Sequence, residues 1–322
     1  MENLSKVKLP NKINIILEGG CLNGAYEIGG LLLIKKLEQT KQLKIKRISG
    51  SSVGAYSAFL FLIDKLDSFI EQYKWMRNDF KKHASLSALE TQLHNLTTNL
   101  SNNEFKKIQR NKLFIKYYDI KSCRAIIKHK FKTREELKNT ILKSCQLPFL
   151  INNQLFYKEK GEVYFDGGMP FIFNYNIFGL SCVNIFSGTD PIHKQERKTL
   201  YMSLSQHNKI NRILNIKNEF TIHGRIFEGL LDTYNFFLKG QSTEMCSFVS
   251  EWTAIDHIKY LLLHIIYTII IYLLHYIHKI YGIIMYNFMP MIKSMQKSKF
   301  YMYIKPKLVQ KYRAQVVHWV FN

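Results

Sequence analysis

The stretch from Ile48 to Tyr56 reads Ile-Ser-Gly-Ser-Ser-Val-Gly-Ala-Tyr, a Gly-x-Ser-x-Gly motif in which Gly50 and Gly54 flank Ser52. Leu43 to Ile48 has the pattern of a short strand, and the residues after the motif have the pattern of an apolar helix. A strand that turns sharply into a helix forces the central residue into a strained backbone conformation, which requires small neighbours. The motif therefore predicts a Ser52 hydroxyl exposed at the carboxyl end of a sheet, where it can act as a nucleophile.

A second glycine-rich turn lies about thirty residues earlier, where residues 19–24 read Gly-Gly-Cys-Leu-Asn-Gly. It follows an alternating apolar stretch, Ile13 to Leu17, and precedes apolar residues at helical spacing. Backbone N–H groups in such a turn, with the start of a helix behind them, can hold a phosphate or an oxyanion. Dinucleotide binding is disfavoured because Cys21 occupies the second glycine position of G-x-G-x-x-G and no acidic residue ends the next strand.

A third motif, Asp-Gly-Gly at residues 166–168, completes the set. The three motifs in this order resemble the patatin-like phospholipase family, which has Gly-Gly-Gly-x-Arg/Lys-Gly, then Gly-x-Ser-x-Gly, then Asp-Gly-Gly/Ala. A small-residue segment before the Asp strand of that family is similar to Ser144 to Phe149 here. The resemblance covers residues 13–185, and the matching stretches are Leu17 to Tyr26, Ile48 to Tyr56 and Val163 to Pro170.

The resemblance implies a lipid acyl hydrolase of the phospholipase A or lysophospholipase type, without a metal or an organic cofactor. Ser52 would attack the ester carbonyl, and Asp166 would accept its proton as the second member of a dyad. The glycines after Asp166 would form a tight turn that aims the carboxylate at Ser52. The backbone donors of the oxyanion hole would be Gly19, Gly20 and Cys21, and the turn glycines would be Gly50, Gly54, Gly167 and Gly168.

The chain departs from the family pattern at two positions, since Cys21 replaces the third glycine and Asn23 replaces the basic residue. One alternative is therefore a catalytically weak, lipid-binding membrane protein. Another is an esterase with a Ser-Asp-His triad, in which the base would be one of three histidines outside any recognisable motif: His193, His207 and His223.

Alternating strand and helix patterns predict an α/β fold, a patatin-like three-layer sheet with helices on both faces. We expect a hydrolase domain over residues 12–250. Its later elements include a helix at Glu135 to Cys145 and strands at Leu113 to Tyr118, Ala125 to Phe131, Glu162 to Phe165 and Ser181 to Phe186.

Composition suggests where the protein works. The net charge of +22 favours an anionic partner, and a phospholipid surface fits better than nucleic acid because no nucleic-acid-binding signature occurs. Five scattered cysteines indicate a reducing compartment, and the polar first twelve residues do not resemble a cleaved signal peptide. We therefore expect an intracellular, membrane-associated protein; its oligomeric state is left open.

An apolar segment at residues 255–289 precedes a basic tail at residues 290–322. On a helical wheel its polar residues fall in one narrow stripe, which suits a helix lying in a bilayer interface as well as a helix that crosses the bilayer. An interfacial or re-entrant helix is favoured over a single crossing, because the basic tail and the hydrolase domain should both stay on the cytoplasmic side. A core helix packed on the sheet is the remaining alternative. The stripe consists of His257, His264, Thr268, His275 and Lys279.

Overall fold

The structure is a computed structural model of the chain. It describes residues 9–20, 23–83, 85–110, 112–152, 154–173, 175–177, 180–181, 198–204 and 220–287, with residues 7, 307, 310–312, 314 and 315. The strands are β1 (Lys12–Leu17), β2 (Lys44–Gly50), β3 (Leu113–Asp119), β4 (Arg124–Lys128), β5 (Tyr157–Glu159), β6 (Glu162–Phe165), β7 (Asn176–Ile177), β8 (Leu180–Ser181), β9 (Lys198–Met202) and β10 (Cys246–Phe248). The α-helices are α1 (Gly24–Gln39), α2 (Val53–Leu62), α3 (Phe69–His83), α4 (Ser87–Thr98), α5 (Asn102–Gln109), α6 (Arg134–Ser144), α7 (Phe220–Lys239) and α8 (Ala254–Asn287).

The predicted α/β class is confirmed by a mixed eight-stranded sheet. Its strand order is β10-β9-β1-β2-β3-β6-β5, and β4 pairs with β3. β1 lies inside the sheet and is parallel to both neighbours, with Leu17 opposite Gly50 of β2 and Met202 of β9. The carboxyl ends of β1 and β2 therefore meet at one edge, where both glycine motifs follow.

The two faces of the sheet are covered differently. Ile13, Ile15 and Leu17 of β1 point into the larger core, to which α1, α2, α4, α6 and α7 contribute buried side chains. Ile16 points to the opposite face and packs in an aromatic cluster with Phe114 and Tyr201. The helix on that face is α8, which contributes Ile271 to a neighbouring cluster.

Most predicted elements lie where the sequence placed them, within a few residues. The predicted strand Ser181 to Phe186 overlaps β8 only at Ser181, and residues 182–186 lie outside the described part of the chain. The sequence analysis missed β5, β7, β9, β10 and α7. β9 was not predicted because it has only five residues and begins with Lys198 and Thr199, although Leu200 to Met202 are buried.

α8 is the one helix among the described residues that is long and apolar enough to cross a membrane. It is not a core helix, because only 6% of its most apolar window is buried inside the protein. The interpretation of this segment as a buried core element is therefore wrong. The basic tail, residues 290–322, lies almost wholly outside the described residues.

Candidate active site

The sheet brings the second and third motifs together along one edge of β3. β2 pairs with the first half of β3, ending with Gly50 opposite Ile115, whereas β6 runs antiparallel along the second half, with Phe165 opposite Tyr118. The two strands approach each other from opposite directions and stop on either side of Lys116. The residues that follow them, Ser52 and Asp166, are thereby directed to the same place.

Ser52 lies in the sharp turn between β2 and α2 with φ 51° and ψ −128°. Positive φ is strained for a residue with a side chain and is maintained only when the surrounding structure enforces it. Tight packing does so here, because a Cβ on Gly50 would lie 2.3 Å from the Gly54 carbonyl oxygen and a Cβ on Gly54 2.6 Å from that of Leu17.

Ser52 is only 8% exposed, so its side chain is not at the open surface as the motif predicted. It lines an apolar cavity whose walls come from α2, α3, α4 and the segment after α6. The lining includes Val53, Phe69, Met76 and Leu89. Side chains of α3 and α4 line this cavity beside the start of α2, so Ser52 borders a hydrophobic compartment.

Asp166 is also only 8% exposed, and burial raises the pKa of its carboxyl from 3.8 to about 6. Three hydrogen-bond donors lower this pKa because they stabilise the carboxylate: the Gly168 amide, the Ser52 hydroxyl and the Tyr267 hydroxyl. The Gly168 amide donates to Oδ1 at 2.7 Å. Oδ2 has no hydrogen-bond partner of ordinary geometry among the residues that the structure describes, so it is available to accept a proton.

Ser144, the last residue of α6, connects the nucleophile to the sheet. Its Oγ accepts a hydrogen bond from the Ser52 amide at 2.9 Å and donates one to the Lys116 carbonyl at 2.7 Å. Its carbonyl accepts a hydrogen bond from the Gly167 amide at 3.1 Å. Ser51 adds another link, because its hydroxyl donates to the Gly168 carbonyl at 2.5 Å. The Ser52 turn and the Asp166 turn are therefore held by one hydrogen-bonded unit.

The first glycine motif borders the same two turns. A Cβ on Gly19 would lie 3.1 Å from the Ser52 Cβ and 3.0 Å from the Gly168 carbonyl oxygen, so this backbone passes directly beside the predicted nucleophile. Gly20 is buried next to it. Cys21, the third predicted oxyanion donor, lies outside the described residues.

The Arg225 guanidinium lies next to Asn23, the position where the family pattern has a basic residue. Asn23 is fully buried at the start of α1, and its Oδ1 accepts a hydrogen bond from Arg225 Nη1 at 3.1 Å. Arg225 belongs to α7, about two hundred residues further along the chain, and its guanidinium lies over the Tyr26 ring. The guanidinium thus reaches the glycine motif from another element.

Of the three candidate triad bases, the structure describes only His223. His223 is exposed on α7, while His193 and His207 lie outside the described residues. Sequence reasoning missed three residues that the fold brings to the site: Ser144, Arg225 and Tyr267. Only Ser144 had a sequence signal, because it begins the small-residue segment that resembles the family.

Comparison of the chain with models of known protein families and with curated protein sequences gives no match. The resemblance to the patatin-like family therefore rests on the three sequence motifs.

Proposed function

We propose that this protein is a patatin-like lipid acyl hydrolase in which Ser52 is the nucleophile and Asp166 the general base. The observation that carries the proposal is the strained Ser52 turn, which borders an apolar cavity and lies beside the buried Asp166 carboxylate, whose Oδ2 has no hydrogen-bond partner of ordinary geometry among the described residues. A pKa of about 6 suits a general base at neutral pH, because the carboxylate is mostly ionised and still basic enough to take a proton.

In the first half of the reaction, Ser52 Oγ forms a bond to the ester carbonyl carbon while its proton moves to Asp166. The negative charge on the carbonyl oxygen would be stabilised by N–H groups of the first motif, Gly19, Gly20 and Cys21. Collapse of the tetrahedral intermediate breaks the bond to the alcohol, and that oxygen takes the proton from Asp166. An acyl-serine remains, and the alcohol leaves.

In the second half, Asp166 takes a proton from water as the water oxygen attacks the acyl carbon. The intermediate expels Ser52 Oγ, which recovers the proton, and the fatty acid is released. Asp166 ends in its starting state, so the cycle needs no cofactor. The apolar cavity lining supports an aliphatic acyl chain as the part of the substrate bound next to Ser52.

A phospholipid surface, preferably anionic, is the proposed partner. The outward face of α8 displays a continuous row of large apolar side chains, including Leu262, Ile266 and Ile269, each more than half exposed. A face of this extent on one helix is typical of a membrane contact. The net charge of +22 favours anionic lipid over neutral lipid and also opposes self-association of two copies. The protein would thus be an intracellular, membrane-associated enzyme.

The test is labelling by a fluorophosphonate probe together with fatty-acid release from mixed vesicles. We expect wild type to be labelled at Ser52 and to release fatty acid, and Ser52→Ala to do neither. Ser57→Ala is the matched control, because Ser57 is a buried serine further along α2, and it should be labelled and active. Asp166→Asn should lose most turnover, since members of one catalytic unit act together.

The alternatives give different results. Vesicle binding without labelling or fatty-acid release would indicate the lipid-binding alternative. Loss of activity in a folded His193→Ala, His207→Ala or His223→Ala variant, as complete as in Ser52→Ala, would indicate the triad. The dyad predicts that each of these variants keeps activity within about tenfold of wild type, because a general base contributes roughly 10² to 10⁴-fold.

A further inference from the structure

The inner face of α8 packs on the turn that carries Asp166. The Tyr267 hydroxyl donates to the Asp166 carbonyl at 3.0 Å and lies 3.4 Å from Oδ1 of the same residue. Its ring lies against Gly168, where an added Cβ would come within 2.2 Å of the ring carbon Cζ. Gly168 has φ +54°, so both the backbone conformation and this contact require glycine.

Other inner-face residues hold α8 in register above this turn. His275 Nδ1 donates to the Ile120 carbonyl at 2.8 Å, and His257 Nδ1 lies 3.0 Å from the Tyr175 hydroxyl. Ile271, one turn after Tyr267, is 1% exposed. The polar stripe of the helix, apart from the exposed Lys279, therefore faces the protein, and the outer face is left to apolar side chains.

We infer that Tyr267 is a positioning residue for the catalytic dyad, through which α8 holds the Asp166 carboxylate and the Gly168 turn in their working geometry. This inference rests on the proposed function. It makes α8 part of the catalytic structure as well as a surface for lipid. The same helix would then bring the site to the bilayer and complete it.

The physical argument concerns the two oxygens of Asp166. Oδ1 accepts from Gly168 and is near the Tyr267 hydroxyl, whereas Oδ2 has no hydrogen-bond partner of ordinary geometry in the part of the chain that the structure describes. Donors on one oxygen fix the rotation of the carboxyl group and leave the other oxygen to take the Ser52 proton. Without the tyrosine hydroxyl the buried carboxylate loses a donor, so its pKa rises further and its orientation loosens.

Other titratable groups lie around this contact. Tyr118 of β3 packs on the Tyr267 ring, Lys116 lies over the Tyr118 ring, and His264 is one turn before Tyr267 on α8. Burial lowers the pKa of Lys116 to about 7, so this lysine titrates in the same pH range as Asp166. An experiment must therefore observe Asp166 itself.

The experiment compares Tyr267→Phe with Tyr272→Phe in the full-length protein. Tyr272 is on the same helix but half exposed on the other side, which makes it a matched control. On a soluble short-chain ester, we expect Tyr267→Phe to lower kcat about tenfold with little change in KM, and to move the acidic limb of the pH profile to higher pH. Tyr272→Phe should match wild type in both respects.

A second readout does not require activity. Carbon-13 NMR of aspartate carboxyls, with the Asp166 signal assigned by its loss in Asp166→Asn, gives the pKa of Asp166 directly. We expect a higher pKa in Tyr267→Phe than in wild type or Tyr272→Phe. An unchanged pKa together with unchanged kcat would overturn the inference. If wild type is inactive while the pKa still shifts, the proposed function fails and the positioning contact stands.

Discussion

The Ser52 amide donates a hydrogen bond to Ser144 Oγ at 2.9 Å, although the two residues are 92 positions apart in the chain. This bond joins the strained serine turn to the end of α6. The Ser144 hydroxyl in turn donates a hydrogen bond to the backbone carbonyl of Lys116 in β3. The backbone of Ser52 is thus held by a side chain from another element. Strain at the nucleophile depends on that support as well as on the local glycines.

Replacing Ser144 with alanine should weaken both the fold and the site. The Ser52 amide and the Lys116 carbonyl would each lose a buried partner, which costs roughly 1 to 3 kcal/mol for each unsatisfied group. We expect a lower midpoint in urea unfolding and a fall of about tenfold in kcat. Ser87→Ala, at an exposed serine on α4, is the control. If Ser144→Ala unfolds at the wild-type urea concentration, the Ser144 hydrogen bonds do not contribute to the stability of the fold.

Replacing Asp166 with asparagine should remove activity but stabilise the folded protein at neutral pH. Burial raises the pKa of this carboxyl from 3.8 to about 6, so the folded state loses stability relative to the unfolded state as pH rises between these values. At pH 7.5 the neutral amide should gain up to about 3 kcal/mol of unfolding free energy over the carboxylate. Denaturant unfolding of both proteins should show the gain shrinking as pH falls towards 4.

The pH dependence of catalysis should follow the same group. If ionised Asp166 is the base, kcat/KM on a soluble ester should be low at pH 4.5, rise through an apparent pKa of about 6 and level off above it. The measurement is a rate profile at constant ionic strength. A flat profile between pH 4.5 and 8 would be incompatible with Asp166 as the base.

The outer face of α8 should determine membrane binding. Serine at Leu262, Ile266 and Ile269 removes apolar area that points away from the protein, so we expect vesicle binding to fall at least tenfold while the fold is kept. Trp75→Ser, at an exposed apolar residue on α3, should bind like wild type. Point changes are preferable to removal of α8, which would also remove Tyr267 from Asp166.

Salt provides a second check on that surface. Binding to anionic vesicles should weaken as ionic strength rises, because screening shortens to about 8 Å near physiological salt. Cosedimentation with anionic and neutral vesicles over a salt series measures the effect. Equal binding to both kinds of vesicle at every salt concentration would remove the electrostatic part of the proposal.

Arg225 should support the first glycine motif through Asn23. Arg225→Met keeps much of the side-chain volume but removes the donor to the buried Asn23 Oδ1, which costs roughly 1 to 3 kcal/mol if the oxygen stays unpaired. We expect a lower kcat with fluorophosphonate labelling of Ser52 still detectable. Arg124→Met is the control, since Arg124 is exposed at the start of β4. Equal turnover in both variants would show that Arg225 does not support the first glycine motif.

The local sequence by itself determined the turns at the site. Gly50 and Gly54 predict a sharp strand-to-helix turn because only glycine allows the backbone contacts found there, and Ser52 has the strained conformation that this turn imposes. Period-two alternation located β1, and the motif order placed Ser52 and Asp166 at strand ends. These features depend on neighbours within a few residues, so they are visible in a single chain.

Only the tertiary structure decided what surrounds those turns. Ser52 is buried beside an apolar cavity that α3 and α4 help to line, and β9 pairs with β1 across about 185 residues. The helical wheel showed a polar stripe on α8 but not its direction. Apart from Lys279, the stripe faces the protein, where His257 and His275 have hydrogen-bond partners, and this leaves the apolar face exposed. Packing between distant elements sets these relationships, and no local pattern encodes them.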